Sequence, residues 1–244
     1  MKTWLFRFPT QDDLSQVLQA WRIWLLAIVV GALLGSALYF IFPPAYRAQA
    51  SVVVDQNLEQ AWTTTNSERD VMTYLARETQ KLVEVAWADA TLQMVVDQNP
   101  GTSIASLRTG KLQLSQTADG AWHFWADDAV GQNASRLASS WAKAFYERSL
   151  EGIRIANQIQ VLQAALLINP SDPGLIKTQV DALEPASLGI SSYLQISLSQ
   201  SEQIPVTRKT SLALAVLAGA AGGWTLTLLG LLFLAPKNKI RGNE

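Results

Sequence analysis

Hydrophobic and polar positions along this chain repeat on three scales, and the coarsest is the most telling. Two uncharged apolar runs, Ile23 to Phe42 and Ser211 to Ala235, bracket a long and mostly polar middle. A helix of ~20 residues crosses the ~30 Å hydrocarbon core of a bilayer, and both runs reach that length. The pattern predicts a membrane hairpin with transmembrane helices at 23–42 and 211–235. These divide the chain into a leader (1–22), a central domain (43–210) and a tail (236–244).

Within the middle the period shortens to that of strands and helices. Pro43 and Pro44 stop the first span, and Tyr46, Ala48, Ala50, Val52 and Val54 then alternate with Arg47, Gln49 and Ser51, the period-two signature of a half-buried strand. Ser67 with Asp70 resembles a capping box. Val71, Leu75, Leu82, Val85 and Ala86 follow on one face of a helix that runs, with room for a break, to Asn99-Pro100-Gly101. Ser103 to Thr109 reads as a short helix ended by Gly110. Leu112 and Leu114 alternate before Asp119-Gly120, and Trp122 and Phe124 after it, which predicts a hairpin.

Asp127 or Asp128 then caps a long helix carrying Leu137, Trp141, Ala144 and Phe145, followed by Ile155, Ile159, Leu162 and Leu166, with Gly152 permitting a bend between the two groups. Asn169 to Pro173 turns the chain into a helix from Gly174 to about Leu183. Leu194, Ile196 and Leu198 form a last strand that leads through Pro205 to the second span. The order β-α-β-β-α-β is the split βαβ order of ferredoxin-like layers, here with a short helical extension before the last strand. The expected fold class is therefore an α+β membrane protein in which two transmembrane helices flank an extracytoplasmic domain of this kind.

Charge sets the orientation. Lys2, Arg7 and Arg22 precede the first span and Lys237, Lys239 and Arg241 follow the second, so the positive-inside rule puts both termini in the cytoplasm and the central domain outside. Trp21, Trp24, Tyr39 and Tyr46 suit the aromatic belts at the two interfaces. In the leader, Thr10 with Leu14, Val17, Leu18 and Trp21 marks either an amphipathic surface helix or a continuation of the span. Ala48-Gln49-Ala50 offers a signal-peptidase-like site. The apolar run is longer than an h-region of ~7–15 residues, which favours a retained span.

Composition narrows the chemistry. A net charge of -1 with 16% charged residues gives no nucleic-acid surface. With no cysteine and His123 as the only histidine, disulfides, thiol chemistry and Cys/His metal sites are excluded. Gly110-Lys111 lacks the rest of a phosphate loop, and Asp127-Asp128 reads as capping in preference to an acid/base pair. No catalytic residue, cofactor or metal is expected. Trp122 and Trp141 lie on the apolar faces of their elements, whereas Trp62 and Trp125 are open candidates for a saccharide or a neighbouring subunit. Gly31 with Gly35, and Gly219 with Gly223, form GxxxG pairs that predict close helix packing, within the chain or between subunits.

The ordered set of these features resembles the Wzz-type polysaccharide co-polymerases. It comprises the hairpin layout, Trp21-Arg22 before span one, and Pro43-Pro44-Ala45-Tyr46-Arg47-Ala48-Gln49-Ala50 after it. Ser103-Ile104-Ala105-Ser106-Leu107-Arg108 comes before a strand pair, and the strand, acidic turn and Ala-rich helix from Trp122 to Glu147 complete the set. Pro43, Pro44, Tyr46 and Ala48 carry the signature after helix one. The resemblance implies a non-enzymatic homo-oligomeric ring in the bacterial cytoplasmic membrane. Such a ring sets the chain length of O-antigen, capsule or exopolysaccharide through a partner polymerase and its lipid-linked glycan.

The chain departs from that family in having only Pro205 before the second span and a short inserted helical region. Two other classes share the layout. One is an adaptor that activates a separate cytoplasmic tyrosine kinase in capsule export, for which the tail offers no tyrosine after Tyr193. The other is an extracytoplasmic ligand sensor, for which Pro236 to Glu244 is too short an output domain.

Overall fold

The computed structural model describes residues 21–58, 68–117, 120–168, 173–199 and 204–234. The chain divides into two compact units, Ala45–Thr207 and Met1–Pro44 with Arg208–Glu244. The fold is α+β, with a small antiparallel sheet and two helices long and apolar enough to cross a membrane. Leader residues 1–20, the tail, Ser67 with its proposed capping box, Trp62, Asp119 and the 169–172 turn lie outside the described residues, while Trp21 and Arg22 begin the first helix.

In the smaller unit α1 (Trp21–Ile41) packs along α7 (Leu212–Leu234). Both helices keep to within two residues of the apolar runs, the usual scatter at helix ends. Their side chains are mostly exposed, as a lipid-facing surface requires, and the buried positions of α1 are Gly31 and Gly35. Trp24 meets Trp224 edge to face with ring centroids 5.6 Å apart.

The larger unit begins with β1 (Tyr46–Gln56), α2 (Glu68–Trp87) and α3 (Asp89–Gln98). A single helical turn, α4 (Ile104–Ser106), widens into the turn Leu107–Lys111 and leads to β2 (Leu112–Gln116) and β3 (Ala121–Asp128). Next come α5 (Gly131–Ile168), α6 (Pro173–Leu183), the 3-10 turn Glu184–Ser187, β4 (Leu194–Leu198) and β5 (Val206–Arg208). The strands lie in the order β2-β3-β1-β4, with antiparallel pairing between neighbours, and β5 also pairs with β1. The sequence pattern gave no sign of β5, because three residues without buried side chains carry no periodicity.

The core lies between one face of the sheet and α5. Val52, Trp122, Phe124 and Leu194 project from the strands onto Leu137, Trp141, Ala144 and Phe145 of α5. Phe124 touches Trp141 at 4.9 Å and Phe145 at 5.1 Å between ring centroids, and Trp122 stacks on Phe145 at 5.5 Å. Burying each such ring contributes roughly 1.5–3 kcal/mol, so this aromatic cluster fixes α5 to the sheet.

To the same core α2 and α3, which also pack on α5, supply Leu82, Val85, Ala86, Leu92 and Val95. The break between them falls at Ala88, whose backbone is extended, and the buried Thr91 hydroxyl donates to the Val85 carbonyl at 2.6 Å. Gly110 (φ +112) and Gly120 (φ +81) take left-handed conformations where the chain reverses into β2 and β3, which a side chain would strain.

Gly152 lies inside α5, which runs unbroken for 38 residues and carries both apolar groups on one helix. A Cβ there would lie 2.8 Å from Ile190 Cδ1 and 3.0 Å from the Ser187 carbonyl oxygen, so glycine permits the 3-10 turn and the segment after it to close against α5.

Candidate functional site

Period-two alternation in β1, β2 and β3 sends a second set of side chains to the face of the sheet opposite α5. Register places Arg47 opposite Asp127, Gln49 opposite Trp125 and Ser51 opposite His123. On the other flank of β3, Gln113 stands opposite Trp125 and Ser115 opposite His123. The helices that pack on the sheet cover its other face, so among the described residues these side chains form a half-exposed polar surface with an indole at its centre.

The surface is organised by internal hydrogen bonds. Arg47 donates from Nε to Asp127 Oδ1 (2.7 Å) and from Nη2 to Asp127 Oδ2 (2.8 Å), a bidentate pair, and Nη2 also donates to Gln113 Oε1 (3.0 Å). The Asp127 hydrogen bond raises the Arg47 pKa, burial partly opposes it, and the Asp127 charge adds a lesser rise. It also lies over the Trp125 ring, 5.7 Å from the centroid. Trp125 Nε1 donates to Ser115 Oγ at 2.9 Å.

His123 sits beside the indole, with ring centroids 6.3 Å apart. Its Nδ1 is 2.7 Å from Gln49 Nε2 and 2.9 Å from Ser51 Oγ. An amide nitrogen only donates, so Nδ1 is the acceptor from Gln49 and Nε2 is the ring nitrogen left for a further partner. His123 thus faces away from Trp122 and Phe124, as its place in the strand predicts.

The acidic pair splits into two structural roles. Asp127 holds Arg47, whereas Asp128 caps the turn into α5 by accepting from the Val130 amide (3.1 Å) and from Lys111 Nζ (3.1 Å). Burial pushes the Asp128 carboxyl up. The bonds from Val130, Lys111 and Asn133, with the Lys111 charge, outweigh that and hold it below the ordinary carboxylate range. Sequence reading found the capping role but missed Arg47 as the partner of Asp127. The two lie 80 positions apart, and only strand register joins them. Trp122 and Trp141 are in the core, as expected of apolar-face positions. Among the described residues no three His, Asp or Glu side chains gather as a metal cluster.

The glycine motifs form a second constellation, within the smaller unit. A Cβ on Gly31 would collide with the Gly219 carbonyl oxygen and lie 3.1 Å from Gly223 Cα. One on Gly35 would collide with the Ala215 carbonyl oxygen and lie 3.1 Å from Gly219 Cα. All four predicted glycines therefore meet, each motif pressed against the other inside one chain. Of the signature after helix one, Ala48 is buried in the core and Tyr46 lies against it, while Pro43 and Pro44 stand between α1 and β1.

These features define a class: an α+β protein with two helices long and apolar enough to span a membrane. No protein-family model matches this chain, and no curated protein is significantly similar to it.

Proposed function

We propose that this protein is a polysaccharide co-polymerase of the Wzz type, a scaffold that sets the length of a glycan made by a partner polymerase. The observation that carries the reading is the α+β unit Ala45–Thr207 inserted between two closely paired apolar helices. Its strand order, β4-β1-β3-β2, supports a ferredoxin-like description, and the ordered motifs around Pro43-Pro44, Ser103 to Arg108 and Trp122 to Glu147 support the family. In this reading both termini are cytoplasmic and the larger unit stands outside the cytoplasmic membrane. The proposed ring is a closed homo-oligomer. Because the glycine faces of α1 and α7 are occupied by each other, contacts between subunits use other surfaces.

The test is deletion of the gene in its native host, followed by gel analysis of surface polysaccharide. Polymer synthesis should continue with a broadened or shifted length distribution. Loss of all polymer, or an unchanged distribution, would overturn the reading.

A further inference from the structure

Among the described residues, the half-exposed face of the sheet carries an indole, two amides, two hydroxyls and an imidazole, and its one guanidinium is neutralised by Asp127. We infer that this face, centred on Trp125, is a binding surface for an uncharged saccharide. The inference extends the glycan-scaffold reading by assigning it a contact surface and a ligand chemistry.

The argument is one of complementarity. A pyranose presents a face of C–H groups, which stacks on an aromatic ring, and a rim of hydroxyls, each both donor and acceptor. Trp125 supplies the ring, held by its bond to Ser115 and by the Arg47 guanidinium that lies over it 5.7 Å from the centroid, so a sugar would stack on the part of the ring that the guanidinium leaves open. Around it the internal network consumes one half of the Gln49, Gln113 and His123 side chains and, among the described residues, leaves the other half unpaired. Gln49 uses Nε2 and retains Oε1 as an acceptor; Gln113 uses Oε1 and retains Nε2 as a donor; His123 accepts at Nδ1 and retains Nε2.

These three groups flank one ring on adjacent strands ~4.8 Å apart, a spacing on the scale of a single sugar. They are positioned by other bonds before any ligand arrives, which lowers the ordering cost of binding. Charge decides among glycans. Arg47 is paired with Asp127, so among the described residues this face offers no unpaired cation to an acidic sugar, and Asp55 lies exposed on the same side of β1. A subunit interface would carry a large apolar centre, whereas the exposed large aliphatic side chain here is Val53 alone among the described residues.

The experiment uses the full chain in lipid nanodiscs and an array of immobilised hexasaccharides. The neutral members are built of glucose, galactose, mannose or N-acetylglucosamine, and the acidic members of hexuronic acids. At least one neutral hexamer should bind, and the hexuronates more weakly. Trp125→Ala should weaken that binding by about tenfold or more, and Gln113→Ala by severalfold.

The Gln113 substitution lies on an edge strand and should leave the thermal midpoint unchanged, which keeps the test valid if Trp125→Ala unfolds the domain. No binding to any neutral hexamer would overturn the inference. So would stronger binding of hexuronates, or full binding by a folded Gln113→Ala protein. If either substitution reduced the native mass of the assembly and left sugar binding intact, the face would be a subunit contact and the inference would fall. The gene-deletion test reads separately, so a face that binds no sugar leaves the length-control proposal standing.

Discussion

Trp141 shows what a single residue contributes and how much of it could be read in advance. Its helical spacing places it on the apolar face of α5, and it is fully buried there, against Phe124 and Trp87. What spacing does not reveal is the bond from its Nε1 to the Ala86 carbonyl at 2.9 Å, which fixes the end of α2 to α5. Trp141→Phe should retain most of the packing and leave that carbonyl without its donor, costing about 1–3 kcal/mol in denaturant unfolding. The same limit applies to Arg47 and Asp127. Period-two alternation shows that each belongs on the polar face, but pairing needs the register of β1 against β3, which no local pattern encodes.

Asp128 has a pH consequence of definite sign. Its pKa is lower in the folded protein than the ~3.9 of an unfolded aspartate, so its stabilising effect is complete above that value and fades as pH falls through the folded pKa. Denaturant midpoints should therefore decline below about pH 4, and Asp128→Asn should flatten that acid limb while lowering the midpoint near neutrality.

Among elements, α1 and α7 were the most legible, since two charge-free runs of membrane length need no tertiary context. Their mode of association was less so. GxxxG signals close approach without naming the partner, and here each motif is the other's partner. Gly31→Leu should force the backbones apart and destabilise the helix pair by about 1–3 kcal/mol, as overpacking does elsewhere. Gly222→Leu is the matched control, because a Cβ at that position meets nothing within 4 Å. Thermal unfolding in mild detergent should separate the two, with Gly222→Leu close to the parent protein. Gly152 is ambiguous in sequence for a related reason. A lone glycine in a helical pattern marks either a bend or a close neighbour, and the neighbour, Ile190, lies 38 positions away.

For the whole molecule, the hairpin makes a topology prediction that chemistry in intact cells can check. Single cysteines at Ser15, Gln163 and Asn243, introduced into a chain that has none, should react with a membrane-impermeant maleimide only at position 163. Reaction at position 15 or 243 would overturn the proposed orientation. The order of strands and helices in the larger unit is written in periodicity except for β5. The packing of α2 and α3 against α5 is not, because it joins residues far apart in sequence.

The first and last strands of the larger unit lie side by side. β5 pairs with β1, and both Tyr46 and Val206 border Gly131. A domain whose two ends emerge together is a cassette, able to be gained, lost or exchanged within a host without disturbing either party's fold. Residues 45–207 excised from the chain should fold as a water-soluble protein. The same residues grafted between unrelated paired helices should retain their structure, so the α+β unit and the helix pair are free to change independently.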